Sequence, residues 1–228
     1  SLAFEHSFQV LTKRPQRLLQ LMESDDFKVN VRQIQDDYIF LHGLDIAPVS
    51  EWPIPNVWLG TSVESQAYAW RIDFLAKTPA AVRFLSIEPM IGPVDLNPWL
   101  WRELDTFTID GFTHPDDAFG PAYERRGDVH WVITGGESGP NHRPIDPAWA
   151  MAVRDQCLAA GVAYFHKQNG GRTPKAGGRL LEGREWNQFP KTESGLAMLT
   201  STEPLRWSTG KCAAREGKDL ATVAKAMK

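Results

Sequence analysis

Short apolar runs that each end in a cluster of polar residues recur along this chain, and this alternation limits its fold more than any other feature. Five such runs lie at residues 7–11, 56–61, 82–87, 129–134 and 162–166. Apolar residues at helical spacing follow most of them, as Trp149, Val153 and Cys157 follow the fourth. Strands that alternate with helices predict an α/β fold with a parallel sheet. Five strands are too few for a closed barrel, which leaves an open doubly wound sheet or part of a barrel.

Two long segments interrupt the alternation, at 24–55 and 97–128, and we predict them to be insertions or long loops. Within the first segment, the β-prone residues 38–41 predict one further strand. The region 172–228 is predicted to be an irregular extension with a terminal helix over 217–227. We expect one α/β domain over residues 1–228, with core motifs at 6–23, 56–96 and 129–171.

The composition is that of an ordinary globular protein, since 42% of the 228 residues are hydrophobic and 23% are charged. The formal net charge of −3 gives no overall field that would attract nucleic acid or an anionic membrane. No apolar run approaches the ~20 residues of a membrane span. We therefore expect a cytoplasmic protein without a membrane partner. The first residues carry neither methionine nor a signal-peptide pattern, so we expect the chain to begin inside a longer protein.

Polar residues at the ends of the predicted strands are the candidate functional residues. In parallel α/β folds, ligands bind at the carboxyl ends of the strands, where loops and helix N-termini converge. The candidates, which we name the strand-end rim, are Lys13, Arg14, Glu64, Glu88, Gly135, Gly136, Glu137, Ser138, Lys167 and Gln168. We favour Glu88 and Glu137 because each follows an apolar run. The alternative is that these are ordinary loop residues, since strand ends meet water.

The glycine-rich stretch 135–139 (GGESG) has two interpretations. Paired glycines let a ligand approach the backbone, whose N–H groups could then bind a carboxylate or phosphate. The stretch matches neither the GxGxxG fingerprint nor a P-loop, so neither standard route to nucleotide binding is supported. A glycine turn between a strand and a helix is the structural alternative.

Other kinds of site find little support in the sequence. No two of the six histidines have the spacing of a zinc site, and no GxSxG nucleophile motif occurs. Cys157 falls on the apolar stripe of a predicted helix, which favours a buried core residue over a reactive thiol. The nine tryptophans are more simply explained by packing than by base stacking, because the chain has no excess of positive charge.

Five motifs, in order, resemble an uncharacterised family of phage and prophage proteins that is radical-SAM-like. The resemblance covers most of the chain except the two insertions and the far tail. The motifs are FQVLTKRPQRL (8–18), NVWLGTSVESQ (56–66), RFLSIEPMIGPVDL (83–96), WVITGGESGPNHRPIDPAW (131–149) and the helical segment RDQC (154–157) leading to YFHKQNGG (164–171).

The resemblance implies a partial (β/α) barrel, TIM-barrel-like but incomplete, whose first βα loop holds three cysteines. In the family these thiolates would ligate a [4Fe-4S] cluster that cleaves S-adenosylmethionine, with one iron left open to that cofactor. This sequence has two cysteines and no such motif. We therefore expect no cofactor in this chain itself, and both groups only in a complete parent protein. The match begins at the family's third strand, so the first two strands are expected to be missing.

The same resemblance implies roles for the strand-end rim. Gly135, Gly136 and Glu137 resemble a glycine-rich contact with the amino group of S-adenosylmethionine. Ser138 and Glu88 complete this candidate cofactor-binding set. Candidate substrate contacts are Lys13, Arg14, Glu64, Lys167 and Gln168. No catalytic residue and no metal ligand is assigned.

Three functions remain open at this point. The first is a fragment of a radical-SAM-like phage enzyme, acting on an unknown substrate in the cytoplasm of a bacterial host. The second is a non-enzymatic module that binds an anionic small molecule or nucleic acid at the strand-end rim. The third is an inactive prophage remnant that folds and forms a homo-oligomer through an exposed sheet edge.

Overall fold

A computed structural model describes residues 6–45, 50–104, 106–109, 112–115, 122–173 and 175–191 of the chain. The main sheet consists of β1 (Phe8–Thr12), β2 (Val57–Ser62), β3 (Val82–Ile87), β8 (Trp131–Gly135) and β9 (Ala163–Gln168). Between β3 and β8, β4 (Trp101–Leu104) pairs with β7 (Ala122–Arg125), and β5 (Thr106–Ile109) pairs with β6 (Phe112–Pro115). The helices are α1 (Pro15–Glu23), α2 (Asp25–Leu41), α3 (Arg71–Lys77), α4 (Asn97–Leu100) and α5 (Pro147–Ala159).

The main sheet is parallel throughout, and its strands lie in the order in which they occur in the chain, β1-β2-β3-β8-β9. The predicted α/β fold with a parallel sheet is therefore confirmed, and all five predicted strands form it. Right-handed crossovers between successive neighbouring strands place their connecting helices on the same face of the sheet. Helices α1, α3 and α5 occupy these connections.

The helix face of the sheet holds the larger part of the core. Leu59, Leu85 and Val132 of the strands form one buried cluster with apolar residues of α1, α3 and α5. Helix α5 begins where the sequence predicts, because the Asp146 carboxylate accepts a hydrogen bond from the backbone N–H of Ala148 at 2.9 Å. No helix among the described residues is both long enough and apolar enough to cross a membrane.

The opposite face of the sheet, which we name the aromatic face, carries a second buried cluster. It is built on Trp58, Phe84, Trp131 and Phe165, and Phe189 packs against it. None of the buried residues in this cluster comes from a described helix. Side chains alternate between the two faces along each strand, so one sheet serves both clusters.

The two edges of the sheet differ. Beside β9, residues 186–188 run antiparallel, with an isolated bridge between Phe165 and Asn187 and a hydrogen bond from the His166 N–H to the Trp186 carbonyl at 2.9 Å. At the other edge lies β1, where Phe8 and Leu11 are 41% and 48% exposed. The homo-oligomer expected through an exposed edge therefore has β1 as its candidate strand and stays a prediction.

The strand predicted at 38–41 is wrong. These residues form the last turn of α2, which is 17 residues long and begins after Ser24, whose hydroxyl accepts a hydrogen bond from the Phe27 N–H at 3.2 Å. The run Tyr-Ile-Phe-Leu has high strand propensity, but Phe27, Val31 and Tyr38 recur at helical spacing across the longer segment, and the longer pattern determines the structure. The terminal helix predicted over 217–227 lies outside the described residues, as does Cys212.

Candidate functional site at the carboxyl ends of the strands

Several predicted residues of the strand-end rim meet in pairs. Lys13 contacts Glu64 at 2.5 Å between Nζ and Oε1, and Lys167 contacts Glu88 at 3.2 Å between Nζ and Oε2. Gln168 donates a hydrogen bond from Nε2 to the Ser138 hydroxyl at 2.9 Å. The exposed Arg14 precedes α1, and its backbone N–H donates to the Thr12 hydroxyl.

Glu88 occupies a space that depends on a glycine of the neighbouring strand. A Cβ atom added to Gly135 would overlap the Glu88 carboxylate. The Glu88 side chain is only 17% exposed, and burial raises its pKa although the charge of Lys167 and its hydrogen bond act in the opposite direction. A larger residue at position 135 would therefore have to displace the Glu88 carboxyl from its present place, a role for this glycine that differs from a simple turn.

A pocket of about 150 Å³ lies next to this carboxyl group on the aromatic face. It is lined by Phe84, Ser86, Glu88, Trp131, Ile133, Phe165 and Lys167, together with Gln9 and Leu11 of the edge strand. The strand register explains the grouping: Ser86 lies beside Ile133, and Ile133 lies beside Phe165, so all three point to one face. Glu88 and Lys167 each follow two residues later, on the same face and nearer the carboxyl ends of the strands.

Glu64 is held by two cations on the other side of the rim. Its second carboxylate oxygen accepts a hydrogen bond from Arg71 Nη1 at 2.9 Å, and the same nitrogen donates to the Ser62 carbonyl at 2.8 Å. Burial opposes ionisation of Glu64, but the hydrogen bond from Lys13 and the charges of Lys13 and Arg71 outweigh it and lower the pKa. This carboxylate is charge-compensated within the fold.

The glycine-rich stretch 135–139 packs backbone to backbone against a second glycine loop. Gly136 donates its N–H to the Gln168 carbonyl at 2.9 Å, and Gly139 donates its N–H to the Gly171 carbonyl at 3.0 Å. A Cβ on Gly136 would overlap the Asn169 carbonyl group. The N–H groups of Gly136 and Gly139 therefore hold the two loops together in this structure.

Glu137 faces an arginine six residues further along the chain. Arg143 binds its carboxylate with Nε at 2.7 Å, with Nη2 at 3.0 Å and with the backbone N–H at 2.9 Å. The side-chain and backbone hydrogen bonds from Arg143 lower the Glu137 pKa to about 2. Glu137 thus closes the loop 137–143, as a bidentate arginine–carboxylate pair does.

This pair predicts a specific pH dependence of stability. Because the folded-state pKa of Glu137 is about 2 and its ordinary value is 4.5, the pair stabilises the fold above pH 4.5 and loses this effect as the pH falls towards 2. Urea unfolding from pH 5 to about 2 should therefore show a smaller loss of stability in Glu137→Gln than in the unchanged chain. Glu23→Gln is the control, because it removes an exposed carboxylate of α1 that forms no ion pair among the described residues, and it should follow the unchanged chain. An identical profile in all three proteins would contradict the assigned pair.

A buried chain of hydrogen bonds supports the site from the helix face. The Tyr164 and Thr134 hydroxyls lie 2.7 Å apart, and Thr134 contacts His166 Nδ1 at 2.9 Å. His166 Nε2 contacts Asn169 Oδ1 at 2.9 Å, and Asn169 Nδ2 donates to the Gly177 carbonyl at 3.0 Å. Burial lowers the His166 pKa, which favours the neutral imidazole. This series of hydrogen bonds fixes the loop that begins at Asn169 and packs on the glycine-rich stretch.

A larger cleft of about 700 Å³ lies beyond that loop, between residues 142–151 and 169–182. Three of its four polar side chains are engaged inside the fold: His142 contacts the Gly139 carbonyl at 2.9 Å, Asn169 binds three groups, and Glu182 pairs with Arg154. The fourth, Arg172, is exposed to solvent. The smaller pocket places a buried carboxyl group beside an apolar wall, which is the commoner chemistry of ligand sites. We therefore take the pocket on the aromatic face as the candidate site.

Sequence reasoning missed several residues of this arrangement. Ser86 could have been found, since it precedes Glu88 by two positions and so shares its strand face. Arg71 and Arg143 gave no signal, because their contacts depend on how the loops fold back.

The described residues offer no ligands for an iron–sulfur cluster. Cys157 is fully buried on α5, and burial raises the pKa of its thiol. Within the described part of the chain, no three histidine, cysteine, aspartate or glutamate side chains are grouped so that they could hold a metal ion.

Comparison with known proteins gives one result. No curated protein and no solved structure matches the chain. A family model covers residues 1–190, and this span includes every strand-end residue discussed above and all five strands of the main sheet. The chain therefore belongs to the family described as "Protein of unknown function (DUF5131)".

Proposed function

We propose that this chain forms part of a radical-SAM-like (β/α) partial barrel of phage type, and that its aromatic face is the interior wall that binds a small molecule. Sequential parallel strands with their helices on one face support this, since in (β/α) barrels the other face lines the interior. In such folds, active sites form at the carboxyl ends of the strands, where Glu88 and Lys167 lie.

The main support for this proposal is that the Glu88 carboxyl group is buried beside a pocket. A carboxyl group costs free energy when it is buried, and a fold retains one next to a pocket most readily where the group has a use. Here Gly135 leaves room for the carboxyl, Lys167 lies 3.2 Å away, and the pKa is raised by burial. Such a group can exchange a proton with a bound ligand closer to neutral pH than an exposed glutamate can.

The charges of the rim favour a small molecule over nucleic acid. Lys13 and Arg71 are paired with Glu64, Lys167 with Glu88, and Arg143 with Glu137, whereas the rim residue Arg14 is exposed. A nucleic-acid surface needs several cations that can neutralise phosphates. A cation that is already paired with a carboxylate would have to break that ion pair to bind a phosphate. The ligand screen therefore includes an oligonucleotide, so that nucleic-acid binding would also be detected.

The test is a thermal-unfolding screen of the chain with S-adenosylmethionine, amino acids, nucleobases, nucleotides, phosphate and a single-stranded oligonucleotide. We expect at least one small molecule to raise the Tm, because a ligand at 100 times its Kd adds about 2.7 kcal/mol of stability. The increase should disappear in Glu88→Leu and persist in Glu103→Leu, a matched change at an exposed carboxylate of β4.

Two results would overturn the proposal. One is an increase in Tm that survives in Glu88→Leu, which would place the ligand elsewhere. The other is a response to the oligonucleotide alone, which would favour the nucleic-acid module. The Tm of each variant without ligand shows separately whether it has folded.

A further inference from the structure

The pocket on the aromatic face has two chemically different ends. Phe84, Trp131 and Phe165 are almost completely buried and form its apolar wall. Ser86, Glu88 and Lys167 lie at the end nearest the carboxyl termini of the strands. A ligand that fills the pocket therefore needs an apolar or aromatic body and one polar edge.

The size of the pocket restricts that body to about one ring. Its volume of about 150 Å³ corresponds to roughly five water molecules at ~30 Å³ each. An apolar protein cavity of about this volume accepts benzene. Planar rings also suit walls made of aromatic side chains, against which they stack or pack edge to face.

The polar end favours a neutral edge with a donor next to an acceptor. The Glu88 carboxyl offers hydrogen-bond acceptors, and the Lys167 ammonium, 3.2 Å away, offers donors. An N–H next to a C=O, as in the ring amide of a pyrimidine base, is the complement of this pair. The N–H would donate to Glu88, and the C=O would accept from Lys167. A phosphate or other dianion would meet the Glu88 carboxyl as well as the single Lys167 ammonium.

We propose that the pocket formed by Phe84, Trp131, Phe165, Ser86, Glu88 and Lys167 binds a single-ring nitrogen heterocycle of the pyrimidine-base type, with its amide edge at Glu88. This rests on the proposed function, because it names the ligand class of the same site. The ring lies against the aromatic side chains, its N–H donates to the Glu88 carboxyl, and its C=O accepts from Lys167.

Isothermal titration of the chain with three compounds tests the class of ligand. We expect uracil to bind, and 1,3-dimethyluracil, which has the same ring but no N–H donor, to bind at least tenfold more weakly. Phenylalanine, which offers an ammonium and a carboxylate in place of an amide edge, should not compete. Uridine and uridine monophosphate, titrated in parallel, distinguish a free base from one carried in a nucleoside or nucleotide.

Two substitutions at one position test the geometry. Glu88→Gln keeps an acceptor oxygen at this position and should retain uracil binding within about threefold, whereas Glu88→Leu removes the acceptor and should lower the affinity at least tenfold. Equal loss in both variants would contradict the pairing of the amide edge with an acceptor at position 88.

The outcomes separate the two proposals. If phenylalanine or S-adenosylmethionine binds in a manner that depends on Glu88 and uracil does not, the heterocycle proposal is overturned while the site stands. If dimethyluracil binds as tightly as uracil, the amide edge is overturned. If no compound depends on Glu88, both proposals fail.

Discussion

Replacing Trp131 with alanine should lower the free energy of unfolding by about 3–5 kcal/mol, the range for removing a large aromatic side chain from a core. Trp131 is 1% exposed, and its ring lies 5.9 Å from the rings of both Trp58 and Phe84. The indole N–H also donates to the Gln188 carbonyl at 2.9 Å, so the change would leave that carbonyl without its partner. Urea unfolding, followed by circular dichroism, measures the loss.

Trp70→Ala is the matched control for this substitution. Trp70 is 46% exposed, its ring meets that of Phe74 edge to face at 6.0 Å, and the Arg71 guanidinium lies 5.8 Å from its centre. The same change of side chain should cost about 1 kcal/mol or less there, because little buried surface is lost. Equal losses at both positions would contradict the assignment of Trp131 to the centre of the aromatic face.

Replacing Gly170 with alanine should cost about 2–5 kcal/mol through two effects. Gly170 has φ = +77°, a conformation that costs an L-residue about 1–2 kcal/mol. In addition, the new Cβ would overlap the backbone of Gly136 and Glu137, and relieving such overlap costs typically about 1–3 kcal/mol. The change should also displace the glycine-rich stretch that carries Gly135 and so disturb the space occupied by Glu88.

Gly183→Ala separates the two effects. Gly183 has the same φ of +77°, but nothing lies within 4 Å of an added Cβ. Only the conformational cost of about 1–2 kcal/mol is expected there. If the two variants unfold at the same urea concentration, the close contact between the two glycine loops does not contribute as argued.

The strands of the main sheet could be predicted because the physics that sets them is local. A buried parallel strand appears in the sequence as a short apolar run, and all five such runs became neighbouring strands. Residues 38–41 show the limit of this reasoning, since a four-residue window favoured a strand where the 17-residue pattern capped by Ser24 forms a helix. The residue pattern over a segment as long as α2 would have predicted the helix.

The site could be predicted only as a set of positions. Because the strands are parallel, Glu88 and Lys167 lie at the same carboxyl-terminal end of the sheet, and this follows from strand order and direction. Their pairing, the space left by Gly135 and the aromatic wall depend on register and on which face each residue occupies. The contact of Arg143 with Glu137 depends on the path of a loop, for which the sequence carries no periodic signal.

We expect a ligand to bind on the aromatic face beside Glu88 and Lys167. The most direct measurement is a map of backbone amide shifts, by nuclear magnetic resonance, as the chain is titrated with the compound that raises its Tm most. We expect the largest shifts at residues 84–90, 131–136 and 165–168, around the pocket. Shifts concentrated at residues 142–151 and 169–182, around the larger cleft, would contradict the claim.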